Sequence, residues 1–166
     1  MSASRTNGRP ALALVEPLAP AAPEVKFCSH CGNRPQAGES ISPTRVCATC
    51  GLGLLLNCAE DVAPKQGDAF VVLDHTLSVC AVSAAAERLL ATHEIDTVNA
   101  PVGDLLVPAA ADVNGGATLA AAIIWAARGD GGATHTVVRP ANTFGVRLNA
   151  RIVGCGPPRA ALLVFE

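Results

Sequence analysis

Aromatic and charged residues are both scarce in this sequence of 166 residues. Phe and Trp make up 3% of the chain, Tyr is missing, and Asp, Glu, Lys and Arg together account for 16%. Hydrophobic residues nevertheless make up 50%, so a core has to be built from Ala, Val, Leu and Ile. The length suits one ordinary domain with a small accessory unit rather than two full cores.

Long hydrophobic runs are missing too. The longest, at residues 117–127, falls well short of the roughly 20 residues that a membrane-spanning helix needs. A short apolar run at residues 11–15 follows two arginines, but Glu16 and Pro17 end it too early for a signal peptide. We therefore expect a cytoplasmic protein with no membrane partner.

Strong net charge is also absent, with a net charge of −2 and an isoelectric point near 6.1. This balance gives no general attraction to nucleic acid or anionic lipid, so any such binding has to be local. Common catalytic patterns are missing as well, among them G-x-S-x-G, H-E-x-x-H and a phosphate-binding glycine loop followed by Lys and Ser or Thr. We therefore predict a protein that is not an enzyme and has no catalytic residues.

Cysteine, by contrast, is plentiful, because the chain has seven and four of them form two C-x-x-C pairs. The pairs are Cys28 with Cys31 and Cys47 with Cys50, separated by a loop of fifteen residues. Two residues between ligands let one turn direct both thiolates at a single ion, and the loop brings the second pair round to complete a tetrahedron. The glycine that follows each pair supplies the positive φ that such a turn uses. The spacing predicts a structural Zn²⁺ bound by all four cysteines, in a reducing compartment.

Other interpretations of the cysteines stay open. A redox dithiol normally occurs once, on a βαβ background that is missing here. His30 lies between two predicted ligands and could replace one of them, although we expect it to be exposed to solvent. Cys58, Cys80 and Cys155 stand alone in the sequence and are interpreted as small buried side chains rather than ligands or redox sensors.

Three cations lie near the predicted zinc site. Four thiolates around one Zn²⁺ carry a net negative charge, which Lys26, Arg34 and Arg45 offset. Cations that offset the charge of the metal site are not free to bind phosphate, which argues against a strong phosphate-binding face. Zinc ribbons often contact nucleic acid or polymerase, so DNA binding or an association with transcription remains an alternative that is not favoured.

The composition divides the chain into four segments. Residues 1–24, rich in Pro and small residues, predict a disordered N-terminal lead. Residues 25–60 form the predicted zinc-binding four-cysteine module, in which prolines and glycines rule out a long element and order is expected to come from the metal. Residues 61–67 indicate a linker, and residues 68–166 predict a separate α+β domain.

The second domain has a clear predicted order of elements. A hairpin is followed by a short helix, a Pro-interrupted region, a long helix and three strands. The predicted strands cover residues 69–73, 77–82, 134–139, 145–153 and 159–165, and the predicted helices cover residues 84–93 and 117–128. In the strand at 145–153, Arg147 and Arg151 alternate with apolar residues, which indicates a solvated outer face or, alternatively, an anion-binding surface.

The opening of the second domain carries a family resemblance. Residues 68–74 (DAFVVLD), 77–79 (LSV) and 82–90 (VSAAAERLL) resemble the opening of a PAS domain, in which two strands lead into an A-A-E-x-L-L helix. Residues 99–106 (NAPVGDLL) are similar to the G-x-P-x-x-D-L-L segment that follows in that family. Ser83 stands where the family often has Asn. The resemblance covers about residues 68–166.

This resemblance implies a five-stranded antiparallel sheet with flanking helices that enclose a pocket. It also implies a non-enzymatic sensory or regulatory protein that binds a small ligand or acts through a protein partner or a homodimer, since members of this family frequently dimerise. Haem is not supported because the long helix has no histidine, and flavin is not supported because no reactive cysteine lies in an N-C-R-F-L-Q-like helix. A thiol redox sensor, in which oxidation releases zinc, is the second alternative.

Overall fold

The structure is a computed structural model that describes residues 23–35, 45–109 and 118–166, and it has an α+β architecture. The strands are β1 (Glu24–Cys28), β2 (Leu55–Ala59), β3 (Phe70–Leu73), β4 (Val79–Val82), β5 (Leu106–Pro108), β6 (Thr134–Pro140), β7 (Leu148–Cys155) and β8 (Ala160–Phe165). The helices are α1 (Ala84–Leu90), α2 (Glu94–Thr97), α3 (Val102–Leu105) and α4 (Leu119–Arg128), and a 3-10 turn covers Glu60–Val62.

The main sheet is antiparallel and has six strands in the order β4-β3-β8-β7-β6-β5. The predicted number of five is therefore wrong. The additional strand is β5, which pairs with β6 from Leu106↔Pro140 to Pro108↔Val138. Sequence reasoning missed it because three residues ending in a proline show no period, and only the partner strand defines them as a strand.

The inner face of the main sheet carries the larger core. Side chains of α1, α3 and α4 pack there against alternate residues of the strands. Ile123 of α4, Val138 of β6 and Leu163 of β8 are all buried in this core. Helix α4 begins at Leu119, with Thr118 as its N-cap, rather than at the predicted residue 117, which lies outside the described residues. The scarcity of aromatic residues has the expected result, because this core consists of Ala, Val, Leu and Ile.

Ser83 fixes the start of α1 on the hairpin. Its buried hydroxyl accepts hydrogen bonds from the backbone N–H groups of Ala86, at 3.1 Å, and Phe70, at 3.0 Å, and donates to the Asp68 carbonyl. The helix ends at Leu90 because Ala91 adopts a left-handed conformation, with φ of 50°. The predicted end near His93 is therefore wrong.

The outer face of the main sheet is covered in part by a second, two-stranded sheet of β1 and β2. The Phe27 ring meets the Phe70 ring edge-on, with centroids 5.8 Å apart, and Leu56 and Val72 belong to the same buried cluster. The cysteine segment thus has a second source of order besides a metal, namely apolar packing on the sheet. That the cysteine segment and residues 68–166 are separate domains stays a prediction.

The N-terminal lead was predicted for residues 1–24, of which 1–22 lie outside the described residues. Glu24 already belongs to β1, where it pairs with Ala59, so the predicted disorder is wrong for this residue. Within the described ranges, none of the helices combines the length and the apolar character that crossing a membrane requires.

Candidate metal centre

The four cysteines of the two C-x-x-C pairs meet at one point. Their sulfur atoms all lie within 4.8 Å of one another, and Cys28 and Cys47 are buried. The distances are 3.6 Å between the Sγ atoms of Cys28 and Cys50 and 3.9 Å between those of Cys31 and Cys47. A regular tetrahedron of thiolates with Zn–S bonds of about 2.3 Å has S···S distances of about 3.8 Å. The cluster therefore has the dimensions of a four-cysteine metal site and can hold an ion such as zinc.

Two similar turns bring the sulfur atoms together. In the first, Gly32 N donates to the Cys28 carbonyl at 3.0 Å, and in the second Gly51 N donates to the Cys47 carbonyl at 2.9 Å. The two glycines have φ of 71° and 68°, which confirms the prediction that each turn uses a left-handed glycine.

Backbone N–H groups point at the sulfur atoms and favour their thiolate form. His30 N and Cys31 N donate to Cys28 Sγ at 3.4 and 3.5 Å. Burial nevertheless raises the pKa of the Cys28 and Cys31 thiols. For Cys50, burial also acts to raise the pKa, but N–H groups of Gly53 and Leu52 and the neighbouring thiols outweigh it and lower the pKa to about 6. Such partly buried thiols become stable thiolates when a metal cation supplies positive charge.

Gly53 is a residue of the site that sequence reasoning missed. A Cβ atom at this position would overlap Cys28 Sγ and would lie 2.7 Å from His30 N and 2.8 Å from His30 Cβ. The two turns can therefore approach each other only because residue 53 has no side chain. The sequence signal was a second glycine two positions after the one that follows Cys50.

His30 lies next to the cluster, and its ring packs against the main-sheet region. Its Nδ1 is 3.6 Å from Glu94 Oε2, and its side chain is 17% exposed, so the predicted solvent exposure is wrong. Its carbonyl accepts a hydrogen bond from Ala84 N at 2.9 Å, at the start of α1. Glu94 Oε1 in turn accepts from Val82 N at 3.0 Å. His30 thus connects the first cysteine turn with β4, α1 and α2.

Two of the three predicted neighbouring cations hold loops in place. Arg34 Nε donates to the Pro64 carbonyl at 2.9 Å, and its guanidinium also contacts the Ala63 carbonyl. Arg45 donates to the Leu55 carbonyl at 3.3 Å and contacts the Pro157 carbonyl. Arg34 is partly buried and Arg45 is exposed, and both guanidinium groups are hydrogen-bonded to backbone oxygens.

The three cysteines outside the cluster differ from one another. Cys58 is buried as predicted, and burial raises its pKa to about 12. Cys155 is partly buried in the same apolar cluster, and burial raises its pKa to about 12 as well. Cys80 is exposed, so its predicted burial is wrong. It lies where the register between β3 and β4 shifts, which interrupts the alternation of side chains on the strand.

No protein-family model, curated protein or solved structure matches this chain. Its class therefore rests on its own geometry, which is that of an α+β protein with an antiparallel sheet and a four-cysteine cluster that can hold a metal ion. Four thiolate ligands would complete the tetrahedral coordination of a zinc ion and leave no position for a substrate.

Proposed function

We propose that this chain is a non-enzymatic regulatory protein in which a structural Zn²⁺ fixes a small module on a PAS-like domain at residues 68–166. Cys28, Cys31, Cys47 and Cys50 hold the ion. The observation that carries the proposal is that the four sulfur atoms lie within 4.8 Å of one another, in a segment that is hydrogen-bonded to the start of α1. A site built in this way stabilises a surface and transforms no substrate.

The positions of two clefts support a regulatory site where the zinc module contacts the main sheet. The inner face is packed by α1, α3 and α4. Two clefts of about 680 and 470 Å³ lie instead where residues of the module meet residues of the main-sheet region. The larger is bordered by β2 and the end of β7, and the smaller by the turn after Cys50 and by α2. A small ligand or a protein partner bound there contacts both parts of the molecule.

The contacts of the cations favour this function over DNA binding by the zinc module. Arg34 uses both Nε and Nη2 for backbone carbonyls, and the chain has a net charge of −2. Duplex binding depends on cations that are free to replace counterions of the phosphates. Retardation of duplex DNA that disappears in Cys47→Ser would favour the DNA-binding alternative.

Native mass spectrometry of protein purified without refolding tests the proposal. We expect one zinc ion per chain, loss of that ion in Cys47→Ser, and its retention in the matched control Cys80→Ser, whose thiol is exposed and outside the cluster. Metal-free protein with ordered residues 25–35 and 45–60 would contradict the proposal. Zinc that leaves on mild peroxide treatment would favour the redox-sensor alternative.

A thermal-shift screen against metabolites separates the two kinds of partner. A small ligand of the PAS-like domain stabilises the folded state by about 2.7 kcal/mol at a hundredfold excess over its dissociation constant. If no metabolite raises the melting temperature, we expect the chain to act by binding a protein partner or by forming a homodimer.

A further inference from the structure

Part of the outer face of the main sheet, on β6 and β7, carries a row of basic and polar side chains that the function proposed above does not use. In the β6–β7 register His135 pairs with Arg151 and Val137 pairs with Asn149. Arg139 and Arg147 come one residue beyond the last pair of this ladder, Val138↔Leu148. We call these six residues, His135, Val137, Arg139, Arg147, Asn149 and Arg151, the basic ladder.

The basic ladder faces outward because its pairs alternate with buried ones. Val138, Ala150 and Ile152 belong to the inner core, so their neighbours on β6 and β7 lie on the opposite face, and Arg147, just before β7, is exposed. The β1–β2 sheet covers an apolar cluster around β3 and β8 that includes Phe70 and Leu162, and the Arg151 side chain, at 24% exposure, is the part of the ladder that is largely shielded.

The positive charge of the basic ladder is only partly neutralised. Glu166 lies 3.7 Å from Arg151 and 3.5 Å from His135 Nδ1. Within the described ranges, Arg139 and Arg147 have no carboxylate at ion-pair distance. An excess of positive charge thus collects on one face of a chain whose net charge is −2.

Arg139 is held in place before any partner binds. Its Nη1 donates to the carbonyls of Pro140 and Ala141 at 3.3 and 3.4 Å, and its guanidinium lies 5.1 Å from the ring centre of Phe144. Because Phe144 is 86% exposed and Val137 is 37% exposed, apolar surface accompanies the cations. Within the described residues these hydrogen bonds use Nη1 alone, so Nε and Nη2 can bind a carboxylate, and a guanidinium that is already fixed loses little freedom when it does so.

We propose that the basic ladder docks an extended acidic segment of a protein partner. Residues 135 and 139 are about 13 Å apart along a strand, with Val137 between them on the same face. An extended partner segment matches this face when it has carboxylates at positions i and i+4 and an apolar residue at i+2. Arg beside Phe and Val is typical of protein interfaces. A long nucleic acid, by contrast, would meet the net negative charge of the rest of the chain.

This inference rests on the proposed function, because it names the surface through which the chain meets its partner. Its test is chosen so that failure of the ladder is distinguishable from failure of the zinc site. The probe is a fluorescein-labelled peptide of about ten residues, roughly 33 Å long when extended, in which Glu, Val and Glu stand at every second position with Ser between them, so that all three can face the basic ladder. Fluorescence anisotropy measures its binding to the full, zinc-loaded chain, and zinc content is measured for every variant.

We expect Arg139→Glu combined with Arg147→Glu to weaken peptide binding at least about tenfold while zinc content stays unchanged. The matched control is Lys65→Glu combined with Arg88→Glu, which changes the net charge equally at exposed positions outside the basic ladder. We expect the control to bind as the unchanged protein does. The same peptide with Lys in place of each Glu should not bind.

Four results would overturn the inference. The first is an absence of peptide binding at low salt, and the second is an equal loss of binding in the control variant. The third is equally tight binding of a single-stranded oligonucleotide of the same charge. The fourth is that the peptide does not bind and that sedimentation shows a dimer of the unchanged protein and of the control variant but a monomer of the Arg139/Arg147 variant. The third result would identify a general polyanion surface, and the fourth a contact between copies of this chain. In each of these cases, one zinc ion per chain would show that the proposed metal site is correct although the basic ladder is not.

Discussion

Gly53 lies where the two cysteine turns approach most closely, and the absence of a side chain there decides whether they can meet. A methyl group would overlap Cys28 Sγ and crowd His30. Neighbours of this kind act on a metal site although they provide no ligand.

Gly53→Ala is therefore expected to lower the zinc affinity by about tenfold or more, because the sulfur atoms have to move apart. Competition with a chelator measures this affinity. Gly103→Ala is the control, since its Cβ meets no atom within 4 Å and its position in α3 favours Ala over Gly. Equal affinities of the two variants would contradict the role assigned to Gly53.

Asp74 holds the turn between β3 and β4. Its Oδ1 accepts hydrogen bonds from Thr76 N at 2.8 Å and from Ser78 N at 2.9 Å. Burial acts to raise the pKa of this carboxyl, but the hydrogen bonds outweigh it, so the pKa is lowered from 3.8. A carboxyl with a lowered pKa stabilises the folded state above its unfolded pKa and loses this effect as the pH falls through its folded pKa.

Asp74→Asn is expected to reduce the free energy of unfolding by about 1 kcal/mol at neutral pH, a modest amount because the turn is open to solvent. The difference between the two proteins should shrink as the pH falls below about 4. Urea unfolding of both proteins at several pH values measures this difference, in which other titrating groups cancel. A difference that stays constant with pH would show that the charge of Asp74 has no such effect.

At the scale of elements, the first cysteine turn and helix α1 share a hydrogen bond. Ala84, the first residue of the helix, donates its N–H to the His30 carbonyl, and Glu94 of α2 joins the His30 ring to Val82 N. A metal that orders the turn thereby also orders the start of α1.

Removal of zinc with a chelator is expected to speed hydrogen exchange at the Ala84 amide, because its acceptor becomes mobile. The Ala121 amide, which Thr118 Oγ caps in α4, is the control and should keep its protection. Exchange that is unchanged at both amides would mean that the metal site and α1 are independent.

At the scale of the whole molecule, the two sheets share one apolar cluster. Phe27 is 0% exposed and contacts Phe70, so the stability of each sheet includes surface buried against the other. The sequence predicted two separate units, whereas this packing favours a single cooperative transition.

Urea unfolding of the zinc-loaded chain is therefore expected to release zinc and to lose circular dichroism at the same midpoint. Phe27→Ala should lower that midpoint for both signals, with a cost of about 3–5 kcal/mol. Phe144→Ala is the control and should change stability by at most about 0.5 kcal/mol, since the ring is exposed. Zinc release that precedes the loss of the main sheet would favour two independent domains.

Local sequence patterns determined the parts of this protein that depend on near neighbours. The four candidate ligands follow from a spacing that one turn can satisfy, and the left-handed glycines follow from the same turns. Helix α4 and strands β3, β4, β6, β7 and β8 follow from hydrophobic runs between glycine-rich and proline-rich breaks.

Tertiary structure alone decided what depends on residues far apart in the chain. Strand β5 exists because β6 pairs with it, Gly53 matters because Cys28 lies against it, and His30 is shielded because Glu94 reaches it. No pattern within a short window contains these contacts, because their energy arises only when the folded chain brings distant segments together.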